Sequence, residues 1–157
     1  MNILVLYSSD YKGNTKKIAE HLGTALGAKV LNVNEFKDFI ADIETYDVIG
    51  FGSGVYKESM STKIFDIVKS LELMDKKTFV FSTSGVGMKF YNNKLTRKIE
   101  SKGGIVIGSF ACKGYYKASE FTDNKIFNIM SIRTIGHPDN NDLKNADKFA
   151  LEIKNNI

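Results

Sequence analysis

Five short runs rich in β-branched and aliphatic residues recur along this 157-residue chain, and the stretches between them place apolar residues at helical spacing. That alternation leaves little choice of architecture. The runs are Ile3-Tyr7, Lys29-Val33, Val48-Gly52, Thr78-Ser82 and Ile105-Ala111. One helical stripe holds Ile18, Leu22, Ala25 and Leu26, a second holds Ile64, Ile67, Val68 and Leu71, and the last holds Leu143, Ala146, Phe149, Ala150 and Ile153. A shorter helix is expected over Lys94 to Ser101. Strands alternating with helices predict an α/β fold, a parallel sheet with helices on both faces. Five such strands predict the doubly wound order 2-1-3-4-5, whose ligand crevice lies at the carboxyl ends of the strands beside the reversal of order. No linker, repeat or low-complexity stretch interrupts the pattern, so residues 1–157 read as one domain.

The loops after the first, third and fourth strands therefore carry the functional reading. The first runs from Ser8 through Ser9, Asp10, Tyr11 and Lys12 to Gly13, Asn14 and Thr15, where a helix begins. Its hydroxyls (Ser8, Ser9, Thr15) and free backbone N–H groups converge on a helix N-terminus, whose partial positive charge suits a phosphate dianion. Gly13 allows close backbone approach. A turn capped by Asn14 or Thr15 would use the same residues. No Lys-Ser/Thr pair follows a glycine and no G-x-G-x-x-G follows the first strand, so a monophosphate fits better than a triphosphate or pyrophosphate.

The other two loops, Ser53 to Ser61 and Thr83 to Asn92, combine small residues with aromatics. Ser53, Gly54, Val55 and Tyr56 join flexible backbone to a ring, while Thr83, Ser84, Gly85, Val86 and Gly87 repeat the hydroxyl-and-glycine chemistry before Phe90 and Tyr91. Small residues let amides reach the polar edge of a flat heterocycle, and aromatics cover its faces. A planar ring with a phosphate tail is the expected ligand.

Composition removes several other classes. With 43% hydrophobic and 25% charged residues the chain is ordinary globular protein. The segment from Met1 to Tyr7 is too short and strand-like for a signal peptide, and no apolar run reaches membrane-spanning length, which makes the cytoplasm the expected location. Cys112 has no second cysteine to pair with, and it forms no metal motif with the widely spaced His21 and His137. The net charge is +4, yet the lysines are scattered and build no nucleic-acid-binding run.

Taken together, Tyr7-Ser8-Ser9 with Gly13-Asn14-Thr15, Asp47 through Tyr56, Phe81 through Gly85, and Gly136-His137-Pro138-Asp139 before Asp142-Leu143 resemble the flavodoxin-like FMN-binding proteins over nearly the whole chain. The resemblance implies FMN as cofactor, with its phosphate held by Ser9, Gly13, Asn14, Thr15 and the loop between. It implies that Ser53, Gly54 and Tyr56 lie by the flavin, Tyr56 stacking on it, and that Thr83, Ser84, Gly85 and Gly87 line the pyrimidine edge or ribityl chain. Gly54 is the nearest match to the glycine that can flip its peptide near flavin N5.

Departures from the family are informative. Three residues separate Ser9 from Gly13, one more than in small electron-carrier flavodoxins and similar to enzyme-associated branches. Carrier flavodoxins are acidic around the flavin, whereas Lys12, Lys57, Lys63, Lys89, Lys94, Lys113 and Lys117 lie on or beside the expected mouth here, against Asp10 and Glu58. Cations near a reduced, anionic flavin stabilise it, so a less negative potential for the second electron and an acidic partner or anionic substrate are expected. The segment from Cys112 to Asn141 is long for a connection, and its apolar middle, Ile126 to Ile132, is expected to pack back as a short helix or over the pocket, or else to form an interface. Tyr115 and Tyr116 are candidates to cover the outer flavin face, His137 either touches a substrate or belongs to a turn, and Cys112 reads as an inert core residue. Two function classes follow: an FMN carrier passing electrons to or from a protein partner, or an FMN-dependent oxidoreductase with its own quinone, nicotinamide or porphyrinogen substrate. A flavin-free relative is the third.

Overall fold

The computed structural model describes residues 1–35 and 43–157. Its elements are β1 (Ile3–Ser8), α1 (Asn14–Leu26), β2 (Lys29–Asn32), β3 (Val48–Tyr56), β4 (Ser59–Met60), α2 (Thr62–Ser70), β5 (Lys77–Ser84), α3 (Asn93–Glu100), β6 (Ile105–Lys113), α4 (Lys125–Ile132) and α5 (Asn140–Asn155). The five long strands are parallel in the order β2-β1-β3-β5-β6, which is the expected doubly wound order, and β4 adds antiparallel to the end of β3.

Strand alternation sorts the core into two layers. Ile3, Val5 and Tyr7 of β1 face α1 and α5, together with Phe79, Phe81 and Phe149. Leu4 and Leu6 face α2 and α3, with Phe51, Ile64, Val68 and Ile99. Across the sheet centre, Gly50 and Gly52 of β3 are register partners of Phe79 and Phe81 of β5. A Cβ on Gly50 would fall 2.2 Å from the Phe79 ring and one on Gly52 2.0 Å from the Phe81 ring. The two glycines are thus recesses into which neighbouring rings fit, and the rings reach α5 through the Phe79–Phe149 edge contact.

β1 runs one residue further toward the ligand end than its sequence pattern suggests, to Ser8, and β3, β5 and β6 run further still. β3 was expected to stop at Gly52, but Ser53 and Gly54 continue to pair with Ser82 and Thr83 of β5. Val55 and Tyr56 then pair back with Met60 and Ser59. The stretch expected as a loop from Ser53 to Ser61 is therefore a hairpin turning at Lys57 and Glu58, with φ of 47° and 65°. β5 continues through Ser84 and β6 through Lys113, each satisfying backbone groups that a loop would leave to solvent. α5 starts with a reciprocal capping box between Asp139 and Asp142. No described helix is long and apolar enough to cross a membrane.

Candidate functional site

At the carboxyl end of β1 the chain enters α1 through two consecutive left-handed residues, Lys12 (φ 54°) and Gly13 (φ 69°). Gly13 occupies the N-cap position without a side-chain cap, and space for a Cβ there is open within 4 Å. Its φ, not crowding, is what favours glycine. Neither Asn14 nor Thr15 caps the helix: Asn14 Nδ2 instead donates to Tyr115 O at 2.7 Å, and Thr15 Oγ1 lies 2.8 Å from Thr83 Oγ1. The amides of Gly13, Asn14 and Thr15 have no acceptor among the described residues. Ser8 Oγ and Ser9 Oγ are buried without a hydrogen-bond partner. Two buried, unmatched hydroxyls beside unpaired helix-terminal amides are costly unless an oxygen-rich ligand completes them. These donors match a phosphate.

The remainder of this loop is tied to its neighbours. Asp10 forms a salt bridge with Lys63 at 2.7 Å, and its amide donates to the Tyr56 hydroxyl at 3.0 Å. The Tyr11 hydroxyl donates to Glu120 Oε2 at 2.5 Å and accepts from Lys117 N at 3.1 Å, with Lys12 Nζ 3.5 Å from the same carboxylate. Burial and the Glu120 bond raise the Tyr11 pKa, and the bond from Tyr11, followed by the nearby lysines, holds Glu120 below the usual carboxylate range. Burial likewise raises the Tyr56 pKa.

Facing this loop, Ser53 Oγ donates to Gly54 O at 2.7 Å and accepts from Ser61 N at 2.9 Å. The Tyr56 ring folds back over Gly54, where a Cβ would lie 2.5 Å from its hydroxyl. Val55 beside it is half-buried. On β5, Thr83 and Ser84 are buried, and Ser84 Oγ accepts from Gly87 N at 2.8 Å, closing the turn. Gly85 lies beneath the Tyr116 ring, 2.3 Å from where its Cβ would be, and Val86 is exposed. Tyr91 pairs with Phe90, ring centroids 4.0 Å apart.

The residues singled out from sequence thus lie on the loops and strand ends at the carboxyl edge of the sheet. Tyr116 stands over Gly85, and Glu120, which sequence reasoning passed over, anchors the first loop from 109 residues away. Only the unusual length of the connection from Cys112 to Asn141 marked its segment out. His137 belongs to the turn: its Nδ1 is 2.5 Å from Asp142 Oδ2, which also accepts from Asp139 N. Cys112 is buried, and burial pushes its thiol pKa up, as suits an unreactive packing residue.

A family model described as Flavodoxin domain matches residues 4–141. The chain belongs to the flavodoxin family. A 35% identical protein of Methanocaldococcus jannaschii, described as uncharacterised, aligns with 99% of this flavodoxin-family chain and 100% of its own length. The flavodoxin-like domain-containing protein BilS of Clostridioides difficile is 30% identical over 98% of this chain and 96% of its own. Among solved structures, a flavodoxin from the domain Archaea superposes with a TM-score of 0.72 at 16% identity, covering 99% of this chain and 97% of that one, a likeness of fold. FMN is the cofactor that flavodoxin membership brings, and the unmatched Ser8 and Ser9 hydroxyls fit its phosphate.

Proposed function

We propose that this flavodoxin-family chain is an electron carrier that passes electrons between its FMN and a protein partner, with residues 1–157 acting as one domain. Ser8, Ser9 and Thr15, with the unpaired amides of Gly13, Asn14 and Thr15, hold the phosphate. Ser53, Gly54, Val55 and Tyr56 flank the ring on one side, and Thr83 through Gly87, with Tyr91 behind them, on the other. Bound FMN supplies the redox chemistry; the protein supplies orientation, exposure and electrostatics. Thr15 and Thr83 hold each other's hydroxyls in place beneath the site, Ser53 fixes the Gly54 carbonyl, and Lys12 with the α1 terminus balances the phosphate charge.

The observation that favours a carrier is the exposure of the ring-side loop, where Val86, Met88 and Phe90 are all well exposed beside Gly85. A ring held there presents an edge to a docked protein. The second reading, an FMN-dependent oxidoreductase with its own quinone, nicotinamide or porphyrinogen substrate, draws support from the three residues between Ser9 and Gly13 and from the lysines at the mouth. Anaerobic stepwise reduction of FMN-loaded protein, followed by its visible spectrum, separates the two. A carrier accumulates a one-electron-reduced form under limiting dithionite and does not respond to NADH or NADPH; direct bleaching by a nicotinamide makes it an enzyme.

A further inference from the structure

The α4 helix is inside out. Its buried anchor is polar: Ser131 is 8% exposed, and Thr134, one turn on, is fully buried, accepting from Tyr116 N and donating to Ser131 O. Its apolar residues face water instead, with Ile126 68%, Ile129 62% and Ile132 62% exposed. Phe127, Met130 and Ile135 join them. A contiguous apolar surface of this kind on a small protein marks a contact site.

The patch is continuous with the cofactor loops. Phe121, itself exposed, packs edge-on against Tyr11, ring centroids 5.2 Å apart, and Tyr116, which anchors α4 through Thr134, covers Gly85. Lys125 and Arg133 bracket the apolar residues of α4, and Lys113 and Lys117, with Glu120 and Asp123, lie on the segment that leads into it; none of the four cations is in a salt bridge among the described residues. An apolar centre with aromatic and Met side chains inside a charged rim is the anatomy of a protein–protein interface.

We propose that α4 and its flanks dock an acidic redox protein, one that offers an apolar recess ringed by carboxylates, and so bring it against the edge of the flavin crevice. The proposal rests on the electron-transfer reading above for the partner's redox character. Charge complementarity selects this occupant. A twofold contact with a second copy would set the cationic rim against itself.

The test is calorimetric titration of oxidised, FMN-loaded protein with oxidised plant-type [2Fe–2S] ferredoxin as the acidic probe and cytochrome c as the basic one. No electron moves, so this result and the carrier reading can fail separately. Ferredoxin is expected to bind, with affinity falling about tenfold in Lys125→Glu/Arg133→Glu, about tenfold in Ile126→Ser/Ile129→Ser, and again on raising salt, while cytochrome c binds less tightly than ferredoxin. FMN absorbance and far-ultraviolet circular dichroism verify that each variant stays folded and loaded; a variant that fails either is replaced by the single change Ile129→Ser. No ferredoxin binding, binding that both variants leave unchanged, or preference for cytochrome c overturns the proposal. So does a dimer in sedimentation that Ile126→Ser/Ile129→Ser dissociates, or binding to phosphatidylglycerol vesicles that the same change abolishes.

Discussion

The Tyr11 hydroxyl and the Glu120 carboxylate, 109 residues apart, meet at 2.5 Å and join the loop between β1 and α1 to the segment that follows β6. Removing the hydroxyl with Tyr11→Phe is expected to weaken FMN binding about threefold, as the loss of one partly exposed hydrogen bond should. Glu120 is held below the ordinary carboxylate range, so its contribution is present above that range and is lost as pH falls through its lowered value. Tyr11 is held above its usual value, so the bond survives to high pH and is lost only as pH rises through that raised value. The affinity gap between wild type and Tyr11→Phe, measured by fluorescence titration, should therefore be constant near neutrality and close at either extreme.

Thr15→Val removes a buried hydroxyl and strands Thr83. FMN affinity should fall at least about tenfold, and riboflavin affinity by less than about threefold, because the lost group serves the phosphate. Parallel titrations with the two flavins measure this. Equal losses would move the phosphate elsewhere.

Gly52→Ala sets a methyl group where the Phe81 ring now lies. Destabilisation of about 1–3 kcal/mol is expected in urea unfolding, with partial recovery in Gly52→Ala/Phe81→Leu. Gly13→Ala meets no atoms, and its cost of about 1 kcal/mol comes from the left-handed backbone.

Lys113→Glu/Lys117→Glu should make the second-electron potential of the bound flavin more negative, on the order of 10–30 mV per charge reversed at low ionic strength. Spectroelectrochemical titration reads the shift. The same measurement on wild type should give a value less negative than that of acidic carrier flavodoxins.

Most of the sheet was legible because its signals are local. Val5, Ile49 and Val80 lie in runs whose β-branched character and length announce buried parallel strands, and the alternation of five such strands with helices suggests the doubly wound order. The hairpin after β3 was not legible. Lys57 and Glu58 take positive φ without the Gly or Asn that normally flags such a turn. Nor was the orientation of α4, since the apolar composition of Ile126 to Ile132 suits packing inward and an interface alike, and only the pairing of Thr134 with Tyr116 decides which side faces inward. Within the site, Ser8, Ser9 and Gly13 could be named from type and spacing, but Glu120 could not, since nothing local relates positions 11 and 120.

The hydroxyls around the loop between β1 and α1 do not enter a complex on equal terms. Thr15 and Thr83 satisfy one another, so that one of their two hydroxyl hydrogens is already committed, and a ligand that recruits it exchanges one bond for another. Ser8 and Ser9 have nothing to give up. In the proposed complex the serines gain bonds outright, while Thr15, whose pairing with Thr83 also joins α1 to β5, reaches the phosphate by exchanging one bond for another. The loop after β1 thus divides its hydroxyls between a pair that ties two elements together and a pair that is offered outright to a ligand.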